Sequence, residues 1–197
     1  MNKVFWSALG FMLAVNTLSA GSMAADVKDY LTGEIKHLQA IKGVANMHDA
    51  QVVTSMGSSA RVVESLASKK GKVLLVTFWD TDCLRCRSHL RQLQAVQEKL
   101  GKDTVEVIAL HSDDRTLAGV QNYLNRRKLS GLTAYLDYGD RTVREVLAEP
   151  TYNLFGAQPK TLIVDPKGEV RALSNFRRDW LKPEAIAFLK ALHSGDV

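Results

Sequence analysis

Cysteine is almost absent from this chain: 197 residues contain only Cys83 and Cys86, three apart. A structural disulfide stabilises by closing a long loop, so a bridge across three residues makes a poor staple, and chemistry explains the pair better than stability. Internal repeats, low-complexity tracts and long linkers are also missing, which excludes solenoid and tethered multidomain architectures. His37, His48, His111 and His193 have no partners at ligand spacing. The basic residues are scattered, apart from Arg126-Arg127-Lys128 and Arg177-Arg178, and no nucleic-acid motif accompanies them. A solvated surface explains them, and nucleic acid is set aside as a partner. What remains, 46% hydrophobic and 24% charged, is the composition of one globular domain with a real core.

The first residues differ from the rest. Lys3 precedes an apolar stretch from Val4 to Val15, and small residues follow to Ser22-Met-Ala24. A positive start, an apolar core of about a dozen residues and small residues before the cut describe a secretory signal peptide over 1–24. The alternative is an uncleaved anchor. A spanning helix needs about 20 strongly apolar residues, and Asn16 and Thr17 interrupt this one. Cleavage near Ala24 removes one Lys and no acid, taking the net charge from +5 to +4. Export would place both cysteines where disulfides persist.

The chain is organised around residues 72–86. Val73 to Trp79 is a short run of β-branched, aliphatic and aromatic residues, the pattern of a strand buried on both faces. Beyond the cysteines, Cys86, Leu90, Leu93, Val96 and Leu100 form one helical stripe, with Arg87, Arg91, Gln94, Glu98 and Lys99 off it. A C-x-x-C pair therefore lies where a central strand ends and a helix begins. Unpaired N–H groups of a first helical turn favour thiolate over thiol, and the thiolate is the reactive form. That is the geometry of dithiol–disulfide exchange.

Around this centre, residues 25–50 are read as a helical extension. Leu31, Ile35, Leu38 and Ile41 space out a helix from Asp26 to about Lys42, which packs on the domain or contacts a partner. A domain over 51–197 follows. Gln51–Thr54 is read as an edge strand and Val62–Ser68 as a brief helix. Val105–Leu110 completes a right-handed βαβ unit with parallel strands. Asp113 or Asp114 caps a helix carrying Leu117, Val120 and Leu124; Thr133–Leu136 is a strand, and Asp140 caps a helix on Val143, Val146 and Leu147. After Phe155-Gly-Ala-Gln-Pro159, the strand Lys160–Val164 turns through Asp165-Pro-Lys-Gly168, a type I turn sequence, into a hairpin. A helix begins at Pro183 on Ile186, Leu189 and Leu192. The fold class is α/β with a mixed central sheet and helices on both faces.

Three features in register, Phe78-Trp79-x-x-x-Cys83-x-x-Cys86, Gly156-x-x-Pro159-x-Thr161 and the Asp165–Gly168 hairpin, resemble the thioredoxin fold and, within it, the exported TlpA/ResA-like thiol–disulfide oxidoreductases. The resemblance covers roughly residues 51–195. It implies that Cys83 is the exposed attacking thiol and Cys86 the buried resolving one, with no cofactor beyond the redox-active Cys83–Cys86 disulfide. It implies that Pro159 is a cis-proline facing the cysteines, leaving the Gln158 carbonyl and N–H to pair with an extended substrate segment; an ordinary trans loop proline is the alternative. It further implies a periplasmic location, an exported client carrying a disulfide or thiols, and a membrane thiol–disulfide reductant as electron source.

The chain departs from these relatives at several positions. Asp82 stands where they carry Trp, Leu84-Arg85 replaces Gly-Pro or Glu-Pro, Thr77 occupies the position of a buried acid of thioredoxins, and His89 that of an acid in ResA-like proteins. Arg85, Arg87 and the helix terminus lower the Cys83 pKa, whereas Asp80 and Asp82 raise it. A unit charge at 4 Å is worth about 1 kcal/mol in bulk water and about 4 near a protein surface, so these influences nearly cancel. His89, one turn after Cys86, is read either as a proton carrier or as a partly exposed helix histidine.

The expected activity is reduction of client disulfides. The alternatives are the reverse direction, a disulfide donor or isomerase, and a copper or zinc carrier built on Cys83, Cys86 and His89. Positions i, i+3 and i+6 turn the last ligand about 240° from the first, a poor chelate.

Overall fold

The computed structural model describes residues 26–41, 46–56, 61–111, 116–137, 159–175 and 179–197. Its strands are β1 (Gln39–Ala40), β2 (Gln51–Met56), β3 (Arg61–Ser65), β4 (Val73–Trp79), β5 (Val105–His111), β6 (Thr133–Leu136), β7 (Lys160–Val164) and β8 (Val170–Ser174). The helices are α1 (Val27–Tyr30), α2 (Cys86–Leu100), α3 (Leu117–Arg126) and α4 (Pro183–Ser194). All eight strands form one sheet in the order β1-β8-β7-β4-β5-β6-β2-β3. β4, β5 and β6 run parallel, and β7 joins β4 antiparallel. Every residue of β4 is buried, as its apolar run requires.

Two packed layers hold this sheet. On one face Val73, Leu75 and Val107 meet Leu90 and Leu93 of α2, Val120 and Leu124 of α3, and Phe188 and Leu189 of α4. On the other, Leu74, Val76 and Phe78 meet Met47, Val52 and Leu66. The helix read around Val143–Leu147, its Asp140 cap and the 1–24 leader lie outside the described residues, as do Asp113 and Asp114. The cap of α3 is Thr116, whose hydroxyl accepts from the Gly119 N–H at 3.2 Å. Among the described residues no helix is long and apolar enough to cross a membrane.

The N-terminal extension is built differently from the expectation. The helix stops at Tyr30, because Thr32 is extended and Gly33 takes φ +52°, a left-handed conformation that a side chain resists. Ile35, Leu38 and Ile41 are buried through a 3-10 turn and β1 instead. The Glu34 N–H donates to the Glu184 carboxylate of α4 at 2.7 Å, and β1 pairs with β8, so the extension completes one edge of the sheet. Val62–Ser68 is not a helix either. Val62 and Val63 belong to β3, which pairs with β2 and takes the outer position expected of β2, and the Ser65 hydroxyl then caps a 3-10 turn over Leu66–Lys69. β-branched residues gain more from a ladder than from a one-turn helix.

The hairpin follows its sequence closely. The Asp165 carboxylate accepts from the N–H groups of Lys167 (2.9 Å) and Glu169 (3.0 Å) and pairs with Arg171 at 3.1 Å, while Gly168 supplies φ +90°.

Candidate active site

β4 delivers the chain to the site, and a tight turn carries it into α2. The Asp80 carboxylate accepts from the Thr81 hydroxyl and the Asp82 N–H, both at 3.3 Å. The Cys83 N–H donates to the Asp80 carbonyl at 3.3 Å, and the Cys86 N–H to the Cys83 carbonyl at 3.1 Å. Cys83 and Cys86 are joined in a disulfide, with Cα atoms 5.3 Å apart. Cys86 opens α2 and is 1% exposed; Cys83, in the turn before it, is 7% exposed. The oxidised pair is thus largely covered, with Cys83 the more open sulfur. Between them Leu84 is 96% exposed, an apolar side chain held in solvent beside the disulfide. Asp82, Arg85 and Arg87 are exposed around it.

Strand register places Pro159. Thr161 lies opposite Thr77 and Lys160 opposite Phe78, so Pro159 falls beside Trp79, at the end of β4 from which the cysteine turn departs. It is buried. Gln158, and with it the Gln158–Pro159 bond, lies outside the described residues. Burial holds the neighbouring Lys160 ammonium below its usual pKa range.

His89 is neither partly exposed nor isolated. It is 0% exposed, and its Nε2 is 2.7 Å from the Thr161 hydroxyl. That hydroxyl donates to Thr77 Oγ1 at 3.1 Å, and Thr77 donates to the Lys160 carbonyl at 3.2 Å. Thr77 and His89, the two positions where an acid is replaced, are therefore joined through Thr161. Each hydroxyl owns one proton and has spent it along the chain, so Nε2 must be the donor of the first link. The hydrogen bonds fix His89 with its proton on Nε2.

Behind the turn, Trp79 packs edge-on against His111 (centroids 4.7 Å apart) and at a 36° tilt against Tyr123 (5.7 Å), and His111 Nε2 lies 3.7 Å from the Asp80 carboxylate. Trp79 is core, 2% exposed. A cleft of about 460 Å³ opens between the turn after β4 and α3, lined by Thr81, Asp82, Thr116, Gly119, Tyr123 and Arg126. Among the described residues no three His, Cys, Asp or Glu side chains gather as a metal site. Sequence reasoning missed His111, Tyr123 and Arg126. The available signal for His111 was its place at the end of the second apolar run, level with Trp79 in a parallel pair.

A mixed sheet whose central strand feeds a disulfide into the first turn of a helix, with a proline-led strand alongside, defines a thioredoxin-like protein. The AhpC/TSA family model matches residues 49–173, and the chain belongs to that family. It is 30% identical over 105 residues to the thiol-disulfide oxidoreductases ResA of Bacillus thuringiensis and Bacillus anthracis, an overlap of 53% of this chain and 56% of theirs. The chain thus matches little more than half the length of these relatives. Its fold is similar to the thioredoxin domain of a thiol-disulfide oxidoreductase from Bacteroides vulgatus (TM-score 0.53, 21% identity, 76% of this chain and 97% of that one). It is also similar to a thioredoxin-family thiol:disulfide interchange protein from Chlorobium tepidum (TM-score 0.52, 18% identity, 80% and 99%).

Proposed function

We propose that this chain is an exported, periplasmic thiol–disulfide oxidoreductase that reduces disulfides in client proteins. The observation that carries the reading is the Cys83–Cys86 disulfide at the start of α2, with Cys83 7% exposed and Cys86 1% exposed. In the reduced protein the Cys83 thiolate attacks a client disulfide, forming a mixed disulfide and expelling one client thiolate. Cys86 then attacks Cys83 Sγ, which expels the second client thiolate and leaves Cys83–Cys86 oxidised. Two electrons pass to the client, whose two thiolates take up protons. A membrane thiol–disulfide reductant restores the dithiol, and no further cofactor enters.

Client backbone lies against Gln158 and Pro159, and the exposed Leu84 meets an apolar client side chain. Asp82 and Arg85 act on the Cys83 thiolate with opposite signs, and His89 carries the proton of Cys86. The ResA relatives and the fold support this reading. The Cys83→Ser variant is expected to lose insulin reduction; retained activity refutes the reading. Equilibration with glutathione tests direction: a potential near about −270 mV marks a reductant, and one near about −120 mV a disulfide donor.

A further inference from the structure

Polar side chains buried between a helix and the central sheet need a reason, since each costs free energy unless fully hydrogen-bonded. Here three of them, His89 on α2, Thr77 on β4 and Thr161 on β7, occupy one place and are all 0% exposed. Their bonds run in one direction, from His89 Nε2 to Thr161 to Thr77 to the Lys160 carbonyl. A carbonyl accepts and never donates, so the terminus sets the direction of every link above it. A purely structural contact would be satisfied by either histidine tautomer. This chain admits only the one with the proton on Nε2, in which Nδ1 of the neutral ring is an acceptor.

Residues three apart on a helix are neighbours, so Cys86 and His89 adjoin on the buried face of α2, and with Nε2 bonded to Thr161 the ring nitrogen that can take a proton is Nδ1. Cys86, 1% exposed, has poor access to water as a proton acceptor.

We propose that Thr161 and Thr77 are positioning residues that lock the His89 tautomer, so that Nδ1 takes the Cys86 proton when the mixed disulfide is resolved. The inference rests on the dithiol reading above. In the step, the S–H bond of Cys86 breaks and its proton moves to Nδ1. The Cys86 thiolate forms a bond to Cys83 Sγ, the bond from Cys83 to the client sulfur breaks, and that sulfur leaves as a thiolate. Imidazolium then loses that proton and the departing client thiolate takes one up, so no net proton stays on His89. Because the lock ends on the carbonyl of Lys160, directly after Pro159, the proton acceptor and the strand beside the client segment are tied together.

The test follows single turnover of the reduced protein with a disulfide-linked peptide pair, each half carrying its own fluorophore, so that mixed-disulfide formation and resolution are timed separately. Thr161→Val is expected to slow resolution about tenfold or more, within the range of general-base effects, and to leave the first step unchanged; Thr161→Ser restores the rate. His89→Gln keeps a donor to Thr161 but has no basic nitrogen, and it is expected to be as slow. In wild-type protein, ¹⁵N NMR is expected to show His89 protonated at Nε2, with the other tautomer appearing in Thr161→Val. Wild-type resolution in Thr161→Val or in His89→Gln, or a wild-type His89 protonated at Nδ1, overturns the proposal. Insulin reduction surviving Cys83→Ser removes the dithiol reading itself. An essential Cys83 with normal resolution in Thr161→Val removes only the tautomer lock.

Discussion

Replacing Thr161 by valine keeps shape and removes one hydroxyl, so its cost is read from the bonds that vanish. Two disappear, at 2.7 Å to His89 and 3.1 Å to Thr77, and the buried His89 Nε2–H is stranded. A stranded buried donor costs about 1–3 kcal/mol. Thr77→Val removes the 3.1 Å and 3.2 Å bonds and strands the buried Thr161 hydroxyl proton, again about 1–3 kcal/mol. If the two sites were independent, the double variant would lose about 2–6 kcal/mol. They share the Thr161–Thr77 bond, which can be broken only once, so the double variant is expected to fall short of that sum by about 1 kcal/mol. Urea unfolding of the oxidised protein measures all four corners of the cycle. Each single variant is also expected to melt about 2–12 °C lower, at roughly 2–4 °C per kcal/mol for a chain of this size. Singles that each cost under about 0.5 kcal/mol, or that add without coupling, refute the claim that these groups form one buried network.

Two further outcomes are open to measurement. His48 is buried, and that burial, helped by the Lys70 charge and opposed by Asp165 and Asp49, lowers its pKa from the ordinary 6.5. The folded state therefore binds fewer protons than the unfolded chain. The stability this contributes is whole above about pH 6.5 and is lost as pH falls below it. Between pH 7.5 and 5.5 the urea midpoint of the wild type is expected to fall more steeply than that of His48→Gln; equal slopes refute the assignment. At the site, Leu84→Asn is expected to change stability by less than about 0.5 kcal/mol, because the residue is 96% exposed. Insulin reduction is expected to drop about tenfold, the worth of burying much of one leucine against a client. Reduction of a small uncharged disulfide should be unaffected, and parallel losses on both substrates would remove Leu84 from client contact.

The readable parts of the fold were those whose signals are local. The buried run of β4, the Asp165–Gly168 turn and the Pro183 helix start each depend on a few adjacent residues, and each was legible. The extension was not: the spacing correctly marks Ile35, Leu38 and Ile41 as buried, with Leu31 half-buried, but Gly33 and the Glu34–Glu184 contact impose another backbone. At the site, the cysteines and Pro159 stood out by motif. His89 and Thr77 stood out only as departures, because what joins them is Thr161, 72 residues from His89 and 84 from Thr77 in sequence. Strand register brings the three together, and register is settled by tertiary pairing.

The contact between Glu34 and Glu184, 150 residues apart, also bears on the order in which the molecule comes into being. A ribosome releases the first partner long before the second exists, so this arm waits unpaired until nearly the whole polypeptide has emerged. Closing so long a loop costs about 4 kcal/mol in chain entropy, so the rung between β1 and β8 is expected to join after the central strands have paired, as a latch on a body already assembled.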